Sequence, residues 1–137
     1  MGVNFSGQYL GGKKLELIHE PSGTKIISAA PADNGGDGSS FSPTDLCAAS
    51  LGACVLMTIA IFAERTGIEI SGMKMRSEKI MSSEPPRRIA QIPLTIHLPE
   101  NLSAENRGKL EKVAHTCPVH KSLGEDVLIE MQFVYDI

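Results

Sequence analysis

The uncharged stretch "LCAASLGACVLMTIAIF", Leu46–Phe62, constrains this chain more than any other segment. Ser42-Pro43 before it supplies a helix start: a serine N-cap, then proline where its missing N–H costs nothing. Gly67 after it supplies a stop, since glycine adopts the left-handed conformation that ends a helix. Apolar residues occupy every face between Leu46 and Ala63. Such a helix is expected to be buried nearly all round, as the centre of a core wrapped by sheet. A membrane span needs roughly 20 predominantly apolar residues. This run falls short, is diluted by alanines, Ser50, Gly52 and Thr58, and has no flanking Lys/Arg cluster to orient it. The reading is a core helix.

Around it the pattern is strand-rich. Residues 3–30 alternate apolar and polar side chains, and "PSG" (21–23) marks a turn. "PADNGGDGSSFSP" (31–43) is a loop without periodicity. Residues 68–81 alternate at Ile68, Ile70, Met73 and Met75, which predicts a strand with an irregularity at Gly72. "SSEPP" (82–86) turns the chain into a second strand, 87–99, where Pro93 suggests an edge position or a bulge. Residues 103–116 form an amphipathic helix capped by Ser103, residues 117–124 a short helix opening at Cys117-Pro118, and residues 126–137 a closing strand. The order βββ-α-ββ-α-α-β, without repeats or linker, predicts a single α+β domain over 1–137.

A formal net charge of −3 argues against a nucleic-acid partner, which would call for a basic patch. Arg87-Arg88 is read as the solvated end of a hairpin. "MGVNFSGQYL" lacks the basic region and apolar run of a secretory signal. Three cysteines make no disulfide scaffold, so reduced thiols and a cytoplasmic location are expected.

Those thiols are the chemistry-bearing residues. Cys47 and Cys54 lie seven apart, on nearly one helical face but separated by roughly 10 Å of rise. A disulfide between them is excluded while the helix is intact. Cys117 opens a helix, where the dipole and free N–H groups favour a thiolate, and His120 would share its face and could add positive charge. Three readings stay open: small buried hydrophobes, a reactive thiol set, or a zinc site using Cys117, His120 and one cysteine of the long helix.

"SPTDLCAASLGAC", followed some sixty residues later by "HTCPVHKSL", resembles the OsmC/Ohr family of thiol-dependent hydroperoxide reductases. The "PPRRI" hairpin and the order of strands extend that likeness over most of the chain. The resemblance implies an OsmC-like fold: antiparallel sheets wrapped around a long central helix, with two chains interlocked as a homodimer. It also implies a two-cysteine peroxidase acting on organic hydroperoxides, with no cofactor. Cys54 would be the thiol oxidised to a sulfenic acid. Cys117 would close a Cys54–Cys117 disulfide that an external dithiol reduces.

One departure matters. The resemblance calls for an arginine on an early strand beside the reactive thiol, held by a glutamate at the start of the long helix. Here no arginine precedes Arg65, and the early cations are Lys13, Lys14 and Lys25. The acid near the helix start is Asp45, about 180° around the helix from Cys54, and is read as a first-turn acid. Arg87, Arg88 or a residue of a partner chain could replace that cation, and the sequence does not choose among them. The rival to the enzyme is therefore a small-molecule-binding protein that keeps an apolar pocket without an activated thiol.

Overall fold

Residues 5–29 alternate in character and pair as three antiparallel strands in a computed structural model that describes all of residues 1–137. These are β1 (Phe5–Gly11), β2 (Lys14–His19) and β3 (Thr24–Ala29), in the order β1-β2-β3. Gly12 (φ 61°) and Lys13 (φ 60°) both take left-handed conformations between β1 and β2. Two such residues match the right-handed twist of the strands they join. A 3₁₀ turn at Ala32–Asn34 interrupts the Gly-rich loop. Two compact units divide the chain, residues 1–46 and 47–137, and this sheet belongs to the first. The sheet leaves Phe5, Tyr9, Leu10, Ile26 and Ile27 exposed.

The long helix, α1, spans Pro43–Thr66. Its start is locked from both directions. Ser42 Oγ accepts the Asp45 N–H at 3.1 Å, and the Asp45 carboxylate accepts the Ser42 N–H at 2.9 Å. That reciprocal pair satisfies two donors a helix start otherwise leaves open, so the first-turn reading of Asp45 holds. At the other end Gly67 (φ 70°) turns left-handed, and the Ile68 N–H reaches back to Ala63 O at 3.0 Å.

In the second unit α1 is followed by β4 (Lys74–Ser77), β5 (Ile80–Met81), β6 (Ile89–Leu98), α2 (Ala104–Ala114), α3 (Pro118–Ser122) and β7 (Leu128–Tyr135). β4 and β5 pair antiparallel with successive halves of β6, while β7 pairs with β6 in parallel after the α2–α3 crossover. The arrangement is α+β, antiparallel apart from that last pair. Alternation along β6 places Ile92, Leu94, Ile96 and Leu98 on its buried face. These pack with Leu51, Val55, Ile59, Leu110 and Ala114 in one core.

Three sequence expectations change. Pro93 lies in the middle of the central strand of this sheet, not at an edge. The ladder yields instead. The Glu78 N–H donates to Pro93 O at 3.1 Å, and proline has no N–H to return. The partner strand breaks there into β4 and β5. Residues 68–73 are not strand either, because the Glu69 carboxylate captures the N–H and hydroxyl of Ser71 and Gly72 turns left-handed (φ 86°). A side chain that bonds nearby backbone competes with a sheet ladder.

The third change concerns α1. By length and composition it could cross a membrane. Its buried residues, Ala48, Leu51, Gly52, Val55, Ile59 and Ala63, form one stripe that joins the core. The helix is not buried all round, however: Met57 is 62% exposed and Ile61 53%. The exposed apolar strip runs through Ala53, Met57 and Ile61, while Cys54, Leu56 and Phe62 are half-buried against the core. Leu51 is fully buried in the stripe, so Leu51→Ala should cost about 2–5 kcal/mol in urea-unfolding measurements. A loss below about 1 kcal/mol would contradict the packing described.

Candidate functional site

The stripe that buries α1 also fixes where its cysteines point. Cys54 follows directly on the buried seam, about 100° around the helix from Val55, and so lies at the seam's edge, half-buried. It packs against the core cluster that contains Cys117. Cys117 is the N-cap of α3, its sulfur accepting the His120 N–H at 3.2 Å. Its side chain is completely buried, and the Cys54 thiol is close enough to disfavour its ionisation. Cys47 is also half-buried, two turns earlier on α1. All three thiols are free.

The electrostatics of Cys117 reverse one expectation. Burial pushes its thiol above the ordinary value; the His120 N–H works against that shift, and the adjacent Cys54 thiol adds to it. Desolvation outweighs the short helix's N–H groups, so Cys117 is held as a neutral thiol at neutral pH. His120 does not supply a positive charge. Burial lowers its pKa first, followed by the charges of His115 and Lys121. Its ring faces His115, centroids 6.2 Å apart, and its Nδ1 is enclosed without a hydrogen-bond partner. The neighbouring His115 Nδ1–H donates to Glu111 O at 2.8 Å. No group of three or more His, Cys, Asp or Glu side chains is gathered closely enough to hold a metal ion.

A cleft of about 450 Å³ opens beside Cys54. One wall is a single face of α1: Cys54, Met57, Thr58, Ile61, Phe62 and Arg65. The other comes from the end of α2 and the start of α3, through Val113, Thr116 and Pro118. The wall is mainly apolar, and Arg65 is its one charged residue.

The other candidates fall elsewhere. Ser50 Oγ donates to Cys47 O at 2.6 Å, away from the cleft, whereas on the cleft wall the Thr58 hydroxyl donates to Cys54 O at 2.8 Å. Arg88 donates to Ile89 O and Asp126 O and lies 3.8 Å from the Asp126 carboxylate, so it is tied to the loop before β7. Lys13 donates to Gly35 O, while Lys14 and Lys25 pair with Asp37 and Glu16. His97 holds Asp136 at 2.9 Å, away from the cleft. Arg65 is the residue that the sequence reading missed as a site component. Its signal was present in the spacing of 54, 57, 58, 61, 62 and 65, one continuous helical face.

A family model described as "OsmC-like protein" matches residues 36–132. The chain belongs to the OsmC-like family. This protein is similar to a candidate osmotic stress induced and detoxification response protein from Psychrobacter arcticus 273-4, at 34% identity and a TM-score of 0.90, covering 97% of each chain. The fold also matches an organic hydroperoxide resistance protein OsmC, a predicted redox protein from Legionella pneumophila, with a TM-score of 0.77 and 22% identity over 98% of this chain and 97% of that one. The organic hydroperoxide resistance protein OhrB of Bacillus subtilis matches at a TM-score of 0.71 and 17% identity, over 97% and 98%. Among curated proteins no sequence match was found.

For this OsmC-like chain the burial difference orders thiol reactivity. In the native reduced protein at pH 7, iodoacetamide should label Cys54 well before Cys117. Labelling of Cys117 should climb only as pH rises past the ordinary thiol value of 9.0. Mass mapping of the alkylated peptides checks both, and early labelling of Cys117 would contradict the burial-dominated shift.

Proposed function

We propose that this OsmC-like protein is a thiol-dependent hydroperoxide reductase that takes organic hydroperoxides, using Cys54 and Cys117. The observation that supports the reading most is the pairing itself: a half-buried thiol and a fully buried one, side by side next to an apolar cleft. The thiolate of Cys54 attacks the distal peroxide oxygen. The O–O bond breaks, the departing alkoxide takes a proton and leaves as alcohol, and Cys54 becomes a sulfenic acid. The Cys117 sulfur then attacks that sulfur, a disulfide forms, and the hydroxyl leaves as water. An external dithiol restores both thiols by exchange. Apolar walls admit an organic peroxide and keep the sulfenic acid from a second oxidant molecule.

The working form we propose is a homodimer. A three-stranded sheet exposing Phe5, Tyr9, Leu10, Ile26 and Ile27, and a helix exposing Met57 and Ile61, leave more apolar surface than an isolated chain covers. A second copy laid on these faces buries them and roofs the cleft. The proposed compartment is the cytoplasm, where three free thiols remain reduced.

The second reading is a binding protein with the same cleft and no turnover. It is favoured by the absence of any arginine before Arg65, which leaves the early strands without a guanidinium for Cys54. Peroxide consumption separates the two. With an alkyl hydroperoxide and a dithiol, the wild type turns over. Cys54→Ser is inactive. Cys117→Ser reacts once and leaves a sulfenic acid at Cys54 that a dimedone-type probe traps. Trapping at Cys117 in the Cys54→Ser protein would reverse the roles, and a wild type that consumes no peroxide sustains the binding reading.

Two further outcomes follow. After one equivalent of peroxide, peptide mapping should find a Cys54–Cys117 disulfide with Cys47 free, and Cys47→Ala should keep turnover within about twofold. Sedimentation should give a particle of twice the 14.7 kDa chain mass, with no folded monomer at micromolar concentration. A stable folded monomer would remove the proposed roof.

A further inference from the structure

Arg65 is eleven residues beyond Cys54, three turns and about 20° around α1, so the two side chains leave the same face. The rise between them is about 16 Å. Met57, Thr58, Ile61 and Phe62 fill the interval. This gives a one-sided gradient: a thiol at one end, an apolar stretch in the middle, and a guanidinium at the far end. The guanidinium enters no hydrogen bond or ion pair within the chain, although every early lysine is engaged. No carboxylate lines the cleft to neutralise it. An arginine in the last turn of a helix has an ordinary explanation, as a complement to the helix dipole. That explanation needs a charge near the final carbonyls. It does not account for an unpartnered fork on the wall of an apolar cleft whose other end is a reactive cysteine.

We propose that Arg65 is the specificity residue of this cleft, anchoring the carboxylate of an amphiphilic hydroperoxide whose apolar chain lies along Met57, Ile61 and Phe62 and whose peroxide reaches Cys54. The proposal rests on the reading of Cys54 given above. A guanidinium presents two parallel N–H donors that match a carboxylate, which lysine does not. Once the reach of the two side chains is subtracted, the interval suits roughly eight to twelve extended carbons between head group and peroxide. The anchor fixes which end of the substrate faces the thiol. It acts on binding and orientation, so its effect belongs in KM and not in the chemical step.

The test compares a medium-chain ω-hydroperoxy fatty acid with its methyl ester, and tert-butyl hydroperoxide as a small neutral control, in the full-length wild type and in Arg65→Ala, Arg65→Lys and Arg65→Glu. The wild type should favour the acid over the ester by about tenfold in kcat/KM, through KM. Arg65→Ala should raise KM for the acid about tenfold and so erase the preference for the acid over the ester. Arg65→Lys should keep part of the preference, and Arg65→Glu should favour the ester. Equal use of acid and ester by the wild type, or an equal loss for both in Arg65→Ala, overturns the proposal and leaves the dipole explanation. Calorimetric binding of unreactive decanoate against its methyl ester tests the anchor independently of turnover. If no hydroperoxide is consumed, the reading of Cys54 fails, while tighter binding of decanoate that Arg65→Ala abolishes still sustains the anchor. Decanoate binding unchanged in Arg65→Ala refutes it.

Discussion

The rotation of α1 about its own axis is the constraint on which the site depends. It is set by a seam in which Leu51, Val55 and Ile59 lose all contact with water against the alternate residues of β6. Gly52 sits in that seam because Met75 has taken the space a side chain would need: a Cβ there would lie 2.7 Å from the Met75 methyl. Close packing of this kind resists rotation, since turning the helix by one residue would expose the seam and bury Thr58 and Arg65. Cys54 is thereby held at the seam's edge. Reactivity toward a small molecule needs that position, because a thiol inside the seam would be unreachable.

The second thiol reaches the same place by a different route. β7 runs parallel to β6, and a parallel neighbour requires a crossover, which α2 and α3 provide. Leu110 and Ala114 dock α2 into the core, and Tyr135 on β7 fastens it by donating to the Glu111 carboxylate at 2.8 Å, with Arg107 stacked 4.2 Å over the same ring. The helix ends at His115, and the chain re-enters helix at Pro118. Cys117 falls in that break, where its sulfur does the work of a capping oxygen for α3. One atom is thus both a structural acceptor and the neighbour of Cys54.

The elements were largely legible in the sequence, because caps and turns are local chemistry. Ser42-Pro43, Gly67 and Ser103 mark helix ends where the structure has them, and the alternation of β6 is the buried face of the sheet. What misled were residues whose meaning depends on neighbours remote in sequence. Pro93 is a good edge signal only when the partner strand cannot give way, and here Glu78 and Lys79 simply leave the ladder. The all-round apolar character of α1 reported its composition correctly but said nothing of which surfaces one chain covers. His120 and Cys117 were assigned charge from helix position, whereas burial decides their protonation. Local dipoles at a single-turn helix are small beside the cost of stripping water from an ion.

Cys47 and Cys54 show what helical phase can and cannot select. The two differ by about 20° around α1, so face alone gives them equal claim to the same neighbour. Height separates them. Cys54 stands level with the start of α3, whereas Cys47 is roughly 10 Å nearer the N-terminus, where Ser50 bonds its carbonyl and no second thiol stands. The same logic extends toward the C-terminus: Arg65 keeps the phase of Cys54 and gains height, which turns one helical face into a track with distinct ends. Between them Phe62 packs against the core, whereas Met57 and Ile61 are exposed and contribute little to the fold of a single chain. Exposed and apolar on the wall of the cleft, Met57 and Ile61 suit the proposed ligand and the proposed partner chain alike. In a cleft that a second copy would roof, the two uses are compatible, since the roof and the floor of one channel require the same apolar character.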